Sequence, residues 1–258
     1  MPQKIQSITL STGGLRYFQM GDGPILIFLH GRSGFRLSPV LKTLSKTYRL
    51  LMPITPGQDD APYHEGVNSM ETLADLIAEF ILKTEAGPCR VMGHSFGAWL
   101  AAWLAVRHPD LVKLLILEGP AGFRTGGARP VAQSPEEWRD LFYACPEKSP
   151  TGGASFDQEA ANRDSVSRYN KGILLDKPLV AALGDIQSET LILYGTEERV
   201  IPIETCDILQ DGITHSHLTH ISGAGHMAQF DQPESMTPIV EEFLGSREAT
   251  LVTPPRGA

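Results

Sequence analysis

Some stretches of this chain carry no polar side chain, and others place apolar residues three or four apart. Ile25-Leu26-Ile27-Phe28-Leu29 is apolar throughout, the pattern of a strand buried on both faces of a parallel sheet. Tyr48–Met52 is a weaker run ending at Pro53, and Arg90–Met92, Leu114–Leu117, Leu191–Tyr194 and His217–Ile221 also read as strands. Ahead of them, Ile5–Leu10 and Leu15–Met20 flank Thr12-Gly13-Gly14, a hairpin signal. Met70, Leu73, Ile77 and Phe80 share one helical face, opened by Asn68-Ser69-Met70-Glu71, which resembles a capping box. Phe96 to His108 is apolar nearly all round and stops at Pro109, which predicts a deeply placed helix. Met236, Ile239, Val240 and Phe243 mark a closing amphipathic helix. The alternation predicts an α/β fold, with a mostly parallel eight-stranded sheet and helices on both faces.

One segment breaks the rhythm. Residues 121–186 open with Phe123-Arg124-Thr125-Gly126-Gly127-Ala128-Arg129-Pro130 and continue in helical fragments around Pro135–Tyr143, Asp157–Tyr169 and Pro178–Leu183. This reads as a helical insertion between two strands of one sheet. The expected organisation is a core of residues 1–120 and 187–245, an inserted cap of 121–186, and a flexible tail of 246–258.

A chain of 258 residues makes one large domain or two small ones and needs no disulfide or metal to stay folded. A net charge of −8 argues against a nucleic-acid or anionic-membrane partner. Cys89, Cys145 and Cys206 are odd in number and far apart, which favours a reducing compartment. The N-terminus has no apolar signal core and no stretch suits a membrane span, so a cytoplasmic protein is expected. His215, His217 and His220 lie close together without a ligand partner in a metal spacing, and read as solvated edge-strand residues. No metal or cofactor is expected, and monomer and homodimer are both compatible with the sequence.

The chemistry concentrates at two places. Gly93-His94-Ser95-Phe96-Gly97 is a G-x-S-x-G set between a strand and a helix, where a sharp turn exposes the serine Oγ. The Phe96 N–H then lies at a helix N-terminus, where an oxyanion would be stabilised. Gly223-Ala224-Gly225-His226-Met227 follows the last strand, and small residues there let a loop bring the imidazole of His226 back to the serine. Ser95 as nucleophile and His226 as base define a serine hydrolase.

Together, His30-Gly31-Arg32, the elbow, Leu191-Ile192-Leu193-Tyr194-Gly195-Thr196-Glu197-Glu198-Arg199-Val200-Ile201-Pro202 and the Gly-Ala-Gly-His-Met loop resemble the α/β-hydrolase superfamily. More narrowly they resemble its small esterase-like members with a cap after the sixth strand. The resemblance spans about residues 5–245, apart from the insertion. It implies a second oxyanion donor after His30, for which Arg32 N–H is the candidate, while His30 itself reads as structural. It implies an acid three residues after the glycine that ends the seventh strand; that residue is Glu198, with Pro202 in the usual place. The family usually has aspartate there. Glu197 is a one-residue slip, and Glu118, after the sixth strand, is a second candidate acid. The loop Pro53–Asp60 departs from the family pattern, with Ile54 where an aspartate often stands and Gln58-Asp59-Asp60 in place of a glycine–serine pattern.

Around these residues, Arg32, Arg36, Arg124 and Arg129 are either scattered surface charge or a set that receives a carboxylate-bearing substrate. Phe96, Trp138, Phe142 and Tyr143 either line an apolar pocket or join the cap to the core. The expected activity is hydrolysis of a small carboxylic ester, thioester or lactone through an acyl-serine. The alternatives are C–C bond hydrolysis, biosynthetic acyl transfer or cyclisation, and a receptor-like protein with slow turnover.

Overall fold

A computed structural model describes residues 4–150 and 156–245. The chain runs β1 (Lys4–Leu10), β2 (Gly13–Met20), β3 (Ile25–Leu29), α1 (Pro39–Leu44), β4 (Arg49–Pro53), α2 (Met70–Lys83), β5 (Cys89–His94), α3 (Phe96–Arg107) and β6 (Val112–Glu118). The intervening segment holds α4 (Pro135–Phe142), α5 (Phe156–Ser165), α6 (Ser167–Asn170) and α7 (Lys177–Ala182). Then come β7 (Glu189–Gly195), α8 (Glu204–Gly212), β8 (Ser216–Ile221), α9 (Ala228–Asp231) and α10 (Pro233–Gly245). The strands form one eight-stranded sheet in the order β1-β2-β4-β3-β5-β6-β7-β8. Pairing is antiparallel for β1–β2 and β2–β4 and parallel from β4 through β8.

The continuous apolar runs are explained by two cores that share the strands. Ile27, Leu29, Val91, Leu115 and Ile192 point to the layer formed by α2 and α3. Their neighbours Leu26, Phe28, Met92, Ile116 and Leu191 point to the opposite layer, with α1 and α10. Successive side chains of a strand face opposite sides, so a strand with two dry faces has no polar position left.

Local signals act within a residue or two of where the pattern places them. The helix α2 starts one residue later than the Asn68–Glu71 box implies: Ser69 is the N-cap, and Thr72 closes the reciprocal bond. Asp157–Tyr169 is two helices, broken at Val166. Two helices, α1 and α8, are not among the elements that the sequence pattern predicts. The expected flexible tail, 246–258, lies outside the described residues.

The segment between β6 and β7 is tied into the sheet core. α3 carries Trp99 and Trp103, whose buried indole N–H groups need an acceptor. Both donate to Asp176 Oδ2, at 2.8 and 2.7 Å, while Asp176 Oδ1 accepts from Leu179 N at the start of α7. One buried carboxylate therefore serves three donors from two elements. Asp176→Ala is expected to lower the unfolding free energy by roughly 2–5 kcal/mol in urea titration, because it orphans buried donors. Asp176→Asn, which keeps one oxygen, should lose about half as much.

Candidate active site

Ser95 stands between β5 and α3 with φ 55° and ψ −114°, a left-handed conformation that strains a non-glycine residue by about 1–3 kcal/mol. The turn is possible only because its flanks are glycine. A Cβ on Gly97 would collide with the Leu29 carbonyl and lie 2.7 Å from His30 O, and one on Gly93 would lie 2.6 Å from Ala98 Cα. Hydrogen bonds hold the strained residue. Ser95 N donates to Glu118 O at 2.8 Å, and Ser95 O accepts from Ala98, Trp99 and Ala121 N at 3.1, 3.1 and 3.2 Å. Phe96 opens α3, so its N–H has no acceptor within the helix.

His226 is buried, and its Nδ1 lies 2.7 Å from Glu198 Oε2. The other oxygen, Glu198 Oε1, accepts from Val200 N and Ile201 N at 2.6 and 3.1 Å, which fixes the carboxylate's orientation. With Nδ1 engaged by a carboxylate, the imidazole proton belongs on Nδ1 and Nε2 is the basic nitrogen. Nε2 is buried and makes no hydrogen bond among the described residues; hydrogen bonds of a general base often tighten only in a substrate complex. Beneath it, His94 Nε2 donates to the His226 carbonyl at 2.9 Å. Burial, and then its histidine neighbour His226, lower the His94 pKa to about 3, so it acts as a neutral support.

The two candidate acids are now told apart by their partners. Glu118, at the end of β6, is buried and accepts from Gln229 N and Nε2 at 3.3 and 2.9 Å, not from His226. Glu197 is exposed. Gly119, next to Glu118, comes so near the pair that a Cβ there would lie 3.2 Å from His226 Nδ1 and 3.4 Å from Glu198 Oε2.

The loop after β3 comes up against the serine. A Cβ on Gly31 would lie 3.5 Å from Ser95 Cβ, and Arg32, the next residue, lines the same cleft as Ser95. His30 is structural: Nδ1 donates to Gly31 O at 3.0 Å and Nε2 accepts from Thr55 N at 3.2 Å. The divergent Pro53–Asp60 loop holds this turn in place. Gln58 Nε2 donates to Arg32 O at 2.7 Å, and Asp59 Oδ2 accepts from Phe35 N at 3.0 Å. Asn162 of α5 completes the network, accepting from Asp59 N at 2.9 Å and donating to Ser33 O at 3.0 Å and Asp59 Oδ1 at 2.8 Å. Asp231 does the same for the histidine loop, accepting from Gly225, Ala144 and Cys145 N at 2.8, 2.9 and 3.0 Å. Neither Asn162 nor Asp231 was singled out as a site residue in the sequence. Asn162 sits in a polar helix that offers no periodic signal, whereas Asp231 lies five residues beyond His226.

Ser95 opens into a cleft of about 560 Å³, open solvent at its mouth included, walled by Phe96, Trp99 and Phe123 and edged by Arg32, Arg124 and Arg129. Arg36 is ion-paired with Glu159 instead. Trp138 and Phe142 stack on each other, centroids 4.7 Å apart, in an apolar cluster with Tyr143, Val200, Met227 and Phe230. They therefore join the inserted segment to the core, although the Phe142 ring also meets the His226 ring edge-on at 5.3 Å. Cys89 and Cys206 are buried, and burial pushes each thiol up to about 12. Among the described residues no cluster of His, Cys, Asp or Glu could hold a metal ion, and no helix is long and apolar enough to cross a membrane.

A family model described as the alpha/beta hydrolase family matches residues 26–237. The chain belongs to that family. This alpha/beta hydrolase is 24% identical to 2-hydroxymuconate semialdehyde hydrolase of Pseudomonas sp. (strain CF600), over 90% of this chain and 91% of that one. It is 25% identical to the pimeloyl-[acyl-carrier protein] methyl ester esterase of Aeromonas salmonicida (strain A449), over 88% of this chain and 98% of the relative. A solved serine hydrolase involved in carbazole degradation shares the fold, with a TM-score of 0.76, 20% identity, and coverage of 95% of this chain and 100% of that one.

Glu118 has a measurable signature. Burial above all, with the nearby charges of Glu198 and Asp231, pushes its pKa up to about 8 against the hydrogen bonds from Gln229. Between the usual carboxylate range and about pH 8 the unfolded chain ionises here while the folded one keeps its proton, so this residue lowers stability as pH rises. Glu118→Gln should therefore melt several degrees above the wild type at pH 8 and close to it at pH 5, by calorimetry.

Proposed function

We propose that this alpha/beta hydrolase cleaves small acyl substrates through a covalent acyl-serine, with Ser95 as nucleophile, His226 as base and Glu198 as the acid of the triad. The reading rests on one observation: Nδ1 of the buried His226 is held by Glu198, 2.7 Å away, while Ser95 stands at a positive φ on the strand-to-helix turn and lines the cleft. His226 Nε2 takes the Ser95 proton as Oγ adds to the acyl carbon. The oxyanion is received by the N–H groups of Phe96 and Arg32. Nε2 then gives the proton to the leaving group, and a water activated by the same nitrogen releases the acid and frees Ser95. The segment 121–186 is the cap over this cleft, with Arg124 among its substrate-facing residues.

An ester, thioester or lactone is the primary substrate class, supported by the likeness to a methyl ester esterase. C–C hydrolysis is the second reading, favoured by the likeness to 2-hydroxymuconate semialdehyde hydrolase over nine-tenths of both chains. Neither requires a cofactor. A panel of chromogenic esters and a vinylogous 1,5-diketone, run side by side, separates the two.

A fluorophosphonate is expected to label Ser95 alone, detected by peptide mass spectrometry, and to label nothing in Ser95→Ala. Modification at Cys145, or turnover retained in Ser95→Ala, would exclude the mechanism. Glu198→Gln should lose on the order of 10³–10⁴ in kcat, since the right tautomer and the stabilised imidazolium are lost together. Glu118→Gln should stay within about tenfold of the wild type, and the reverse ranking would move the acid to β6. Asn162→Ala should cost about tenfold in kcat with little change in KM, because it loosens the turn that presents Arg32 N–H.

A further inference from the structure

The arginines near the cleft differ in what they already hold. Arg36 is neutralised by Glu159. Arg124 donates to the Val200 carbonyl. Arg32 and Arg129 remain, both lining the cleft that contains Ser95. Among the described residues neither guanidinium makes an ion pair or a hydrogen bond, and that of Arg32 rests 5.8 Å from the Phe142 centroid. Arg163 of α5 adds a third positive charge close by, with Asp164 a partial offset. Burial first, then repulsion from Arg129 and Arg163, draws Arg32 down to about 9, so it still carries its charge at neutral pH. Arg129 is lowered in the same way, by burial and then by Arg163 and Arg124.

Such an arrangement is unfavourable in the empty protein. The Arg32 guanidinium is partly removed from water, with positive neighbours that Asp164 offsets only in part, and this costs free energy that a bound anion would return. The chain's net charge is −8, so these arginines are not a sample of a generally basic surface. The surrounding walls of Phe96, Trp99 and Phe123 suit an apolar body, and a planar fork of N–H donors suits a carboxylate.

We propose that Arg32 and Arg129 form a carboxylate-binding subsite, and that the substrate is an acyl compound with an apolar body and a free carboxylate, such as a half-ester of a dicarboxylic acid. This rests on the reading of Ser95 as the nucleophile, but the test is made separable from it.

The test measures binding without turnover. Ser95→Ala protein is titrated by calorimetry at low salt with monomethyl and dimethyl esters of glutarate and adipate, and with an alkyl phosphate of matched length. The half-ester should bind at least about tenfold more tightly than the diester, and this preference should fall about tenfold when Arg129→Gln or Arg32→Gln is added. Arg129 lies in an exposed loop, so its variant carries the test if the Arg32 change disturbs folding. Equal affinity for half-ester and diester, no binding of either, or a preference untouched by both substitutions overturns the subsite. Tighter binding of the phosphate than of the half-ester overturns its assignment to carboxylates. Failure of the wild type to be labelled at Ser95 would remove the hydrolase reading and leave this binding result standing.

Discussion

The site depends on how closely α3 can approach the end of β3. The first turn of the helix lies against the carbonyls of Leu29 and His30, where a methyl group on Gly97 would meet backbone oxygen. That approach brings the loop after β3 beside Ser95, and it makes the chain between β5 and α3 turn so sharply that the serine adopts a positive φ. Strain of this kind persists only if its surroundings hold it. Here they do so through the Ser95 N bond to β6 and the three donors converging on Ser95 O. Glycines at two positions, a parallel neighbour on either side and an apolar helix are thus parts of one requirement.

The segment between β6 and β7 is bound to the same constraint. A segment that only packed on the sheet would need apolar contacts and little else. This one makes polar contacts around Ser95 and His226: Asp176 to the indoles of α3, Asn162 to the turn after β3, and the backbone of Ala144 and Cys145 to Asp231 behind the histidine loop. Each is satisfied at short range, so separating segment from core would bury or strand donors on both sides. Geometry at Ser95 and at His226 is set partly by residues that a division into core and insertion assigns elsewhere.

This explains what could be read from the chain beforehand. The strands around Ile25–Leu29 and Leu114–Leu117 were legible because a strand with two dry faces allows no polar residue. Ser95 and His226 were legible because glycine spacing and strand context are local. Glu198 was reached by counting past Gly195, whereas only the tertiary structure reveals that Glu198 lies against His226 Nδ1 and Glu118 against Gln229. Asn162 and Asp176 gave no local signal, since each is a single polar residue whose partners lie far away in sequence. Sorting the arginines also needed tertiary structure: Arg36 and Arg124 look like Arg32 and Arg129 until their partners are known. The α2 cap moved from Asn68 to Ser69 because Ser-x-x-Thr closes a reciprocal pair as well as Asn-x-x-Glu does.

The tryptophans have a spectroscopic consequence. The chain has three: Trp99 and Trp103 share one oxygen of Asp176, and Trp138 is stacked on Phe142 against Val200 and Met227. All three indoles thus lie at the junction between the inserted segment and the sheet. The intrinsic fluorescence of the native protein is a local gauge of that junction, blind to the outer strands β1 and β8 and sensitive to any loosening of the segment that borders the cleft.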